Sequence, residues 1–210
     1  MSPRAEQESA FLNIPYDHRY ENLYLAFIAG LCAFGLRPRA TIEIPGAKRR
    51  LERIIELIRG CRYSFHDLSR VQLDRNPPAT PRFNMPFELG LAVDWSLRAG
   101  SGHEWFVFES TPHRLSKSLS DLNGTDPYIH EDTVHGVLRG LMNALTRTTH
   151  RPELADLDAI YRDLLKAARR ILTERGGSLF EARTFQDLAV LAQQSARGQI
   201  SSLADDSPHL

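Results

Sequence analysis

The segment Arg82-Phe83-Asn84-Met85-Pro86-Phe87-Glu88 brings a cation, two aromatic rings, an amide and a carboxylate into seven residues. Proline favours the first turn of a helix, so a helix is expected to open near Pro86 with Glu88 in its first turn. There the helix dipole would keep the carboxylate ionised. An ionised carboxylate suits a developing sugar cation: breaking an N-glycosidic bond passes through an oxocarbenium-like state that an anion on the ring face stabilises or traps covalently. Phe83, Phe87 and Tyr16 are candidate platforms for a base, and Asn84, Asp17 and Asp67 are candidate partners for ribose hydroxyls. Taken singly, each has a plainer reading. Acidic residues in first turns stabilise helices by roughly 0.3–1 kcal/mol, Asp67 with Ser69 makes an ordinary turn cap, and phenylalanines mostly fill cores.

Other clusters point less clearly to chemistry. Lys48-Arg49-Arg50 with Arg53 is a candidate pyrophosphate contact, but its interleaving with Glu52 and Glu56 reads first as a solvated helix face. His130 and His135 bracket a Glu-Asp pair, yet an i, i+5 spacing sets them roughly 140° apart on a helix, so no metal site is expected. Neither GxGxxG nor GxxxxGK occurs, which gives no support to a dinucleotide-binding dehydrogenase or a P-loop NTPase.

The elements that must position these residues alternate. Ala10 to Ile14 is a short apolar run stopped by Pro15, and Tyr20 to Gly35 is long enough for a helix. Pro38 to Ile44 reads as a second strand, and Ala47 to Arg59 carries Leu51, Ile54, Ile55 and Ile58 at helical spacing. Cys61 to Phe65 is a third strand running into polar His66-Asp67-Leu68-Ser69, followed by a loop through Pro81. After the Pro86 helix, which should end at Gly100, come Trp105 to Phe108, a short Tyr128-Ile129 strand and a helix from about Glu131 to Thr146. Strands alternating with helices predict an α/β fold: a flavodoxin-like parallel sheet of about five strands with helices on both faces, plus C-terminal helices. The expected organisation is an α/β domain over 1–150, a helical extension over 151–200 with helices at Glu153 to Glu174 and Leu179 to Ala196, and a flexible tail over 201–210. In such sheets ligands bind beyond the carboxyl ends of the strands. That rule selects Asn13, Pro15, Tyr16 and Asp17 after the first strand, Glu43 and Pro45-Gly46 after the second, His66, Asp67, Ser69 and Arg70 after the third, and Arg82, Phe83 and Asn84 ahead of Glu88.

Leu23 to Leu36 holds fourteen uncharged residues, short of the roughly 20 that a membrane span needs, and is expected to be a core helix. Lys+Arg 26 against Asp+Glu 26 leaves no net field for nucleic acid or anionic lipid, so neither is an expected partner. Cys32 and Cys61 lack CxxC spacing, and the start of the chain lacks a signal-peptide layout; a reducing cytoplasm is the expected setting. Apolar faces through Leu154, Leu157, Ile160, Leu164 and Leu165 raise the expectation of a homo-oligomer.

The run Asn84-Met85-Pro86-Phe87-Glu88-Leu89-Gly90-Leu91-Ala92 resembles the Asn-x-x-x-Glu-Leu-Gly-x-Ala segment of bacterial nucleoside 2-deoxyribosyltransferase-like and TIR-like proteins. Ile42-Glu43-Ile44-Pro45-Gly46-Ala47-Lys48 is similar to the loop after the second TIR strand, and the likeness extends over about Phe11 to Phe108. The resemblance implies that Glu88 is catalytic and attacks the glycosidic bond of a nucleotide, with NAD as substrate and no resident cofactor. It also implies a place in antiphage defence, by depleting NAD or making a cyclic signal, and site completion by neighbouring subunits. Two other readings remain: a deoxyribosyltransferase-like hydrolase or transferase on a nucleoside or nucleotide, and a non-catalytic nucleotide-sensing or assembly module.

Overall fold

The computed structural model describes residues 8–44, 49–71, 73–74, 80–98 and 100–205. Five parallel strands form one sheet: β1 (Ser9–Asn13), β2 (Arg37–Ala40), β3 (Tyr63–Asp67), β6 (Glu104–Glu109) and β7 (Tyr128–Ile129), in the order β2-β1-β3-β6-β7. This is the doubly wound, flavodoxin-like order expected from the alternation. Two further strands, β4 (Leu73–Asp74) and β5 (Thr80–Pro81), pair antiparallel within the stretch expected to be loop. The chain leaves β1 towards β2 on one side and resumes at β3 on the other. The crevice at the carboxyl ends of β1 and β3 is therefore the topological switch point.

Side-chain alternation sends Phe11, Asn13, Ser64 and His66 to one face, and Leu12, Phe65, Asp67 and Phe108 to the other. On the first face lie α2 (Arg50–Arg59) and α3 (Asn84–Ser96), with Ile54, Ile58 and Ala92 buried around Phe11, and Met85 and Leu89 packed by Val107. The short α4 (Arg114–Ser118) adds Leu115 there. On the second face lie α1 (Glu21–Ala33) and α5 (Val134–Ala144); α6 (Leu154–Arg175) and α7 (Ala182–Asp205) then cover α1. Every residue of α1 from Leu23 to Ala33 is buried, which is why it is apolar all round rather than striped. A Cβ at Gly30 would run into Leu141, so this glycine sets the close approach of α5. No helix among the described residues is long and apolar enough to cross a membrane.

Several boundaries differ from the sequence reading for identifiable reasons. β2 stops at Ala40 rather than Ile44, because Thr41–Glu43 coils into a 3-10 turn held by the Glu43 carboxylate on the Ala40 N–H at 2.8 Å. β3 runs on through His66 and Asp67, which were expected in the following loop; both are fully buried, with their polar atoms satisfied inside the protein. α3 opens at Asn84 and ends at Ser96, which moves Glu88 into its second turn. α5 begins only at Val134, where the Thr133 hydroxyl caps the Gly136 N–H; Glu131 and Asp132 before it have left-handed backbones. The helix expected from Ala47 starts, among the described residues, at Arg50. α7 continues to Asp205, so the first five residues of the expected flexible tail are helical, and 206–210 lie outside the described residues. The face of α6 carrying Leu157, Ile160 and Leu164 is buried against the rest of this chain, so it is not left open for a second subunit.

Candidate functional site

Glu88 is only 5% exposed, and among the described residues none gives its carboxylate a hydrogen bond or an ion pair. Burial pushes its carboxyl up to about 7, against the opposing pull of the Arg50 guanidinium. The expectation of a dipole-held, permanently ionised carboxylate is thus overturned. A second-turn position is beyond the reach of the free N–H groups, and desolvation dominates. Tyr16 stands close enough to feel the Glu88 charge: burial raises its phenol well above the ordinary range, and the carboxylate adds to that rise.

Tyr16 itself is wedged, with its ring against Tyr24 and Phe180 at centroid distances of 6.5 and 5.7 Å and its hydroxyl 3.3 Å from Thr41 Oγ1. Its half-buried ring packs against the core rather than standing as an open stacking platform. Phe83 and Phe87 are the opposite case, 66% and 54% exposed on the opening turns of α3 and one helical turn apart, with Asn84 exposed between them. Such open aromatic surface beside a buried carboxyl is the surface a planar base would use.

Asp17 and Arg82 come together across the crevice, with Arg82 Nη1 donating to Asp17 Oδ2 at 3.4 Å. They line a cleft of about 370 Å³ with His18, Arg19 and Arg70. Glu43 is directed elsewhere: both its oxygens accept from Arg39 Nε, at 3.0 and 3.1 Å, and one also holds the Ala40 N–H.

Asn13 and Asp67 act inside the protein rather than at its surface. The Asn13 amide nitrogen donates to the Met85 carbonyl at 2.8 Å and to His66 Nδ1 at 2.9 Å. Since Nδ1 accepts, the His66 proton sits on Nε2 and is donated to Ser64 Oγ, 2.9 Å away. Ser64 in turn donates to His103 Nε2 at 2.9 Å, and His103 Nδ1 donates to the Cys61 carbonyl at 2.8 Å. Every member of this chain fits two neutral imidazoles. Burial pushes His66 down to about 3, with His103 adding to the fall, and burial lowers His103 as well. On the other face, Asp67 accepts from the Tyr20 hydroxyl and, at 2.8 Å, from the Ser69 N–H. His130 Nε2 stands 3.0 Å from the same carboxylate, off the line that a hydrogen bond needs. Asp67, Tyr20 and His130 are all fully buried, and the buried Ser69 hydroxyl makes no hydrogen bond.

Residue types alone did not mark Tyr20 or His130 as partners of the expected site residues, and His66, expected among the ligand-facing residues after the third strand, is fully buried on Asn13 instead. The usable signal was the period of the third strand, whose alternation carries through His66 and Asp67. Of the basic run, Arg50 acts on Glu88, Arg53 lines a separate cleft with Arg39 and Glu56, and Lys48 lies outside the described residues. Both cysteines are free and buried; burial pushes the Cys61 thiol up to about 12, which removes its nucleophilic form at neutral pH.

Comparisons with known protein families, with curated proteins and with solved structures find no match.

Proposed function

We propose that the protein is an N-glycosidase that cleaves the nicotinamide–ribose bond of NAD through Glu88. The observation that carries this reading is a desolvated carboxyl at the sheet's switch point, poised near neutrality beside Arg50 and Tyr16 and flanked by exposed Phe83 and Phe87. The scissile C–N bond breaks with its electron pair passing to the nicotinamide ring, which leaves neutral and needs no proton. The ribosyl cation so formed meets the Glu88 carboxylate, and water then adds to the anomeric carbon and releases a proton. A low-dielectric site strengthens that attraction over its value in water. The resemblance to TIR-like proteins supports the same substrate, and with it a role in antiphage defence through loss of NAD.

The Glu88 carboxyl near 7 also favours a second reading, hydrolysis or transfer on a nucleoside or nucleotide, because a neutral carboxylic acid can protonate a leaving base. Purified wild type and Glu88→Gln, incubated with NAD and then with a nucleoside and nucleotide panel, separate the two by chromatography of the products. Nicotinamide release by wild type alone supports the first reading. Release of free base from the panel without nicotinamide replaces it with the second. Equal turnover by both proteins removes Glu88 from the mechanism.

A further inference from the structure

We infer that the cleft lined by Asp17, His18, Arg19, Arg70 and Arg82 binds a phosphate or pyrophosphate group, and so selects nucleotides over free nucleosides. The identity of the rest of the ligand rests on the N-glycosidase reading; the anion site itself does not. Three arginines line this cleft with a single acidic residue, Asp17. A chain with equal numbers of acidic and basic residues has no general excess of positive charge to produce such a cluster.

The guanidiniums come from three separate elements: Arg19 from the 3-10 turn His18–Tyr20 after β1, Arg70 from the turn after β3, and Arg82 from the approach to α3. Tertiary structure has to assemble them, which sets them apart from a solvated run of charges along one helix. The hydrogen-bonding capacity of Arg70 and Arg19 is also incompletely used. Arg70 reaches Asp132 at 3.6 Å, and its Nε has no hydrogen-bond partner. Arg19 makes no hydrogen bond or ion pair to any described residue, while His18 is paired with Glu21 at 2.8 Å. Guanidinium forks match phosphate oxygens geometrically as well as electrostatically.

Position links the cleft to the carboxyl. Asp17 follows Tyr16, the residue that feels the Glu88 charge, and Arg82 lies six residues ahead of Glu88. In a nucleotide the phosphate and the anomeric carbon are likewise joined through one ribose. A volume of about 370 Å³ suits the phosphate portion of a small nucleotide, and the zero net charge of the chain argues against a polymeric anion.

Titration calorimetry with inorganic pyrophosphate, ADP-ribose and adenosine tests the site in wild type, Arg19→Gln, and the Arg19→Gln/Arg70→Gln pair. Wild type should bind pyrophosphate and ADP-ribose with affinity that falls as salt rises; the single variant should lose three- to tenfold and the double variant more than tenfold, with adenosine unchanged. Circular dichroism checks folding, and if the double variant unfolds the exposed Arg19 substitution still decides. No pyrophosphate binding, or equal affinity in all three proteins, overturns the site. The two proposals fail separately. A wild type that binds pyrophosphate without cleaving any nucleotide refutes the glycosidase alone, whereas one that cleaves NAD with unchanged affinity in the arginine variants refutes the anion site alone.

Discussion

The Asn13 side-chain amide donates to the Met85 carbonyl at 2.8 Å, tying the last residue of β1 to the first turn of α3, three residues ahead of Glu88. The same nitrogen donates to His66 Nδ1, so both its protons are used and the amide is held in one orientation. Strand β1, strand β3 and the helix that carries the candidate catalytic carboxyl therefore meet at one nitrogen atom.

Asn13→Leu should remove the donor that His66 and Met85 share. A buried acceptor left without its partner costs about 1–3 kcal/mol, so urea unfolding should show a loss in that range together with lower turnover. A loss below about 0.5 kcal/mol, the usual scale of an inconsequential substitution, would show that the tie does not hold α3.

Glu88→Gln should be more stable than wild type in alkali and no more stable in acid. The folded carboxyl titrates near 7 against 4.5 without burial, so between those values the folded state binds more protons and stability falls as pH rises. At about 1.4 kcal/mol per pK unit, the gain for glutamine at pH 8 approaches roughly 3 kcal/mol. Turnover of wild type with NAD should rise with pH through an apparent pKa near 7, because the ionised form does the work. A flat profile between pH 6 and 8 would contradict that assignment.

The buried histidines should produce acid lability of the opposite slope. His66 is neutral in the fold down to about pH 3, whereas in the unfolded chain it takes up a proton below about 6.5. Its stabilising contribution is fully present above that unfolded value and is lost as pH falls towards 3, with His103 adding a loss of the same sign. Unfolding curves at pH 7.5, 6 and 5 should show His66→Gln losing less stability per pH unit than wild type. Parallel curves would mean that His66 is not the proton acceptor.

Asp67→Asn should destabilise without touching the substrate. It removes the charge that accepts from Tyr20 and faces His130 in a site where all three residues are fully buried. Breaking such a set costs on the order of 3 kcal/mol, and at roughly 2–4 °C per kcal/mol for a chain of this size the melting temperature should drop by about 6–12 °C. Retained melting temperature with lost turnover would instead place Asp67 in contact with substrate.

The sheet order, the two-faced helix layers and the all-buried α1 were legible in the sequence, since they follow from local period: strand, helix and turn signals repeat from Ala10 to Ile129 in the sequence of a doubly wound fold. The crevice residues Asp17 and Arg82 were legible by the same rule, because the ends of central parallel strands are where ligands bind. The sequence alone also singled out Glu88. What it did not determine was the state of that carboxyl. A helix dipole acts within one helix, whereas the Glu88 carboxyl is governed by the burial around it and by Arg50 on a different helix. Likewise His66 and Asp67 look like loop polars when read along the chain, but they become interior strand residues because Asn13, Ser64, Tyr20 and Ser69 arrive to satisfy them. Arg19, Arg70 and Arg82 are dispersed over 64 positions and form one cleft only after β1, β3 and α3 are brought side by side. Secondary structure responds to neighbours within a few residues, while desolvation and charge coupling respond to neighbours in space, and those exist only once the chain has folded.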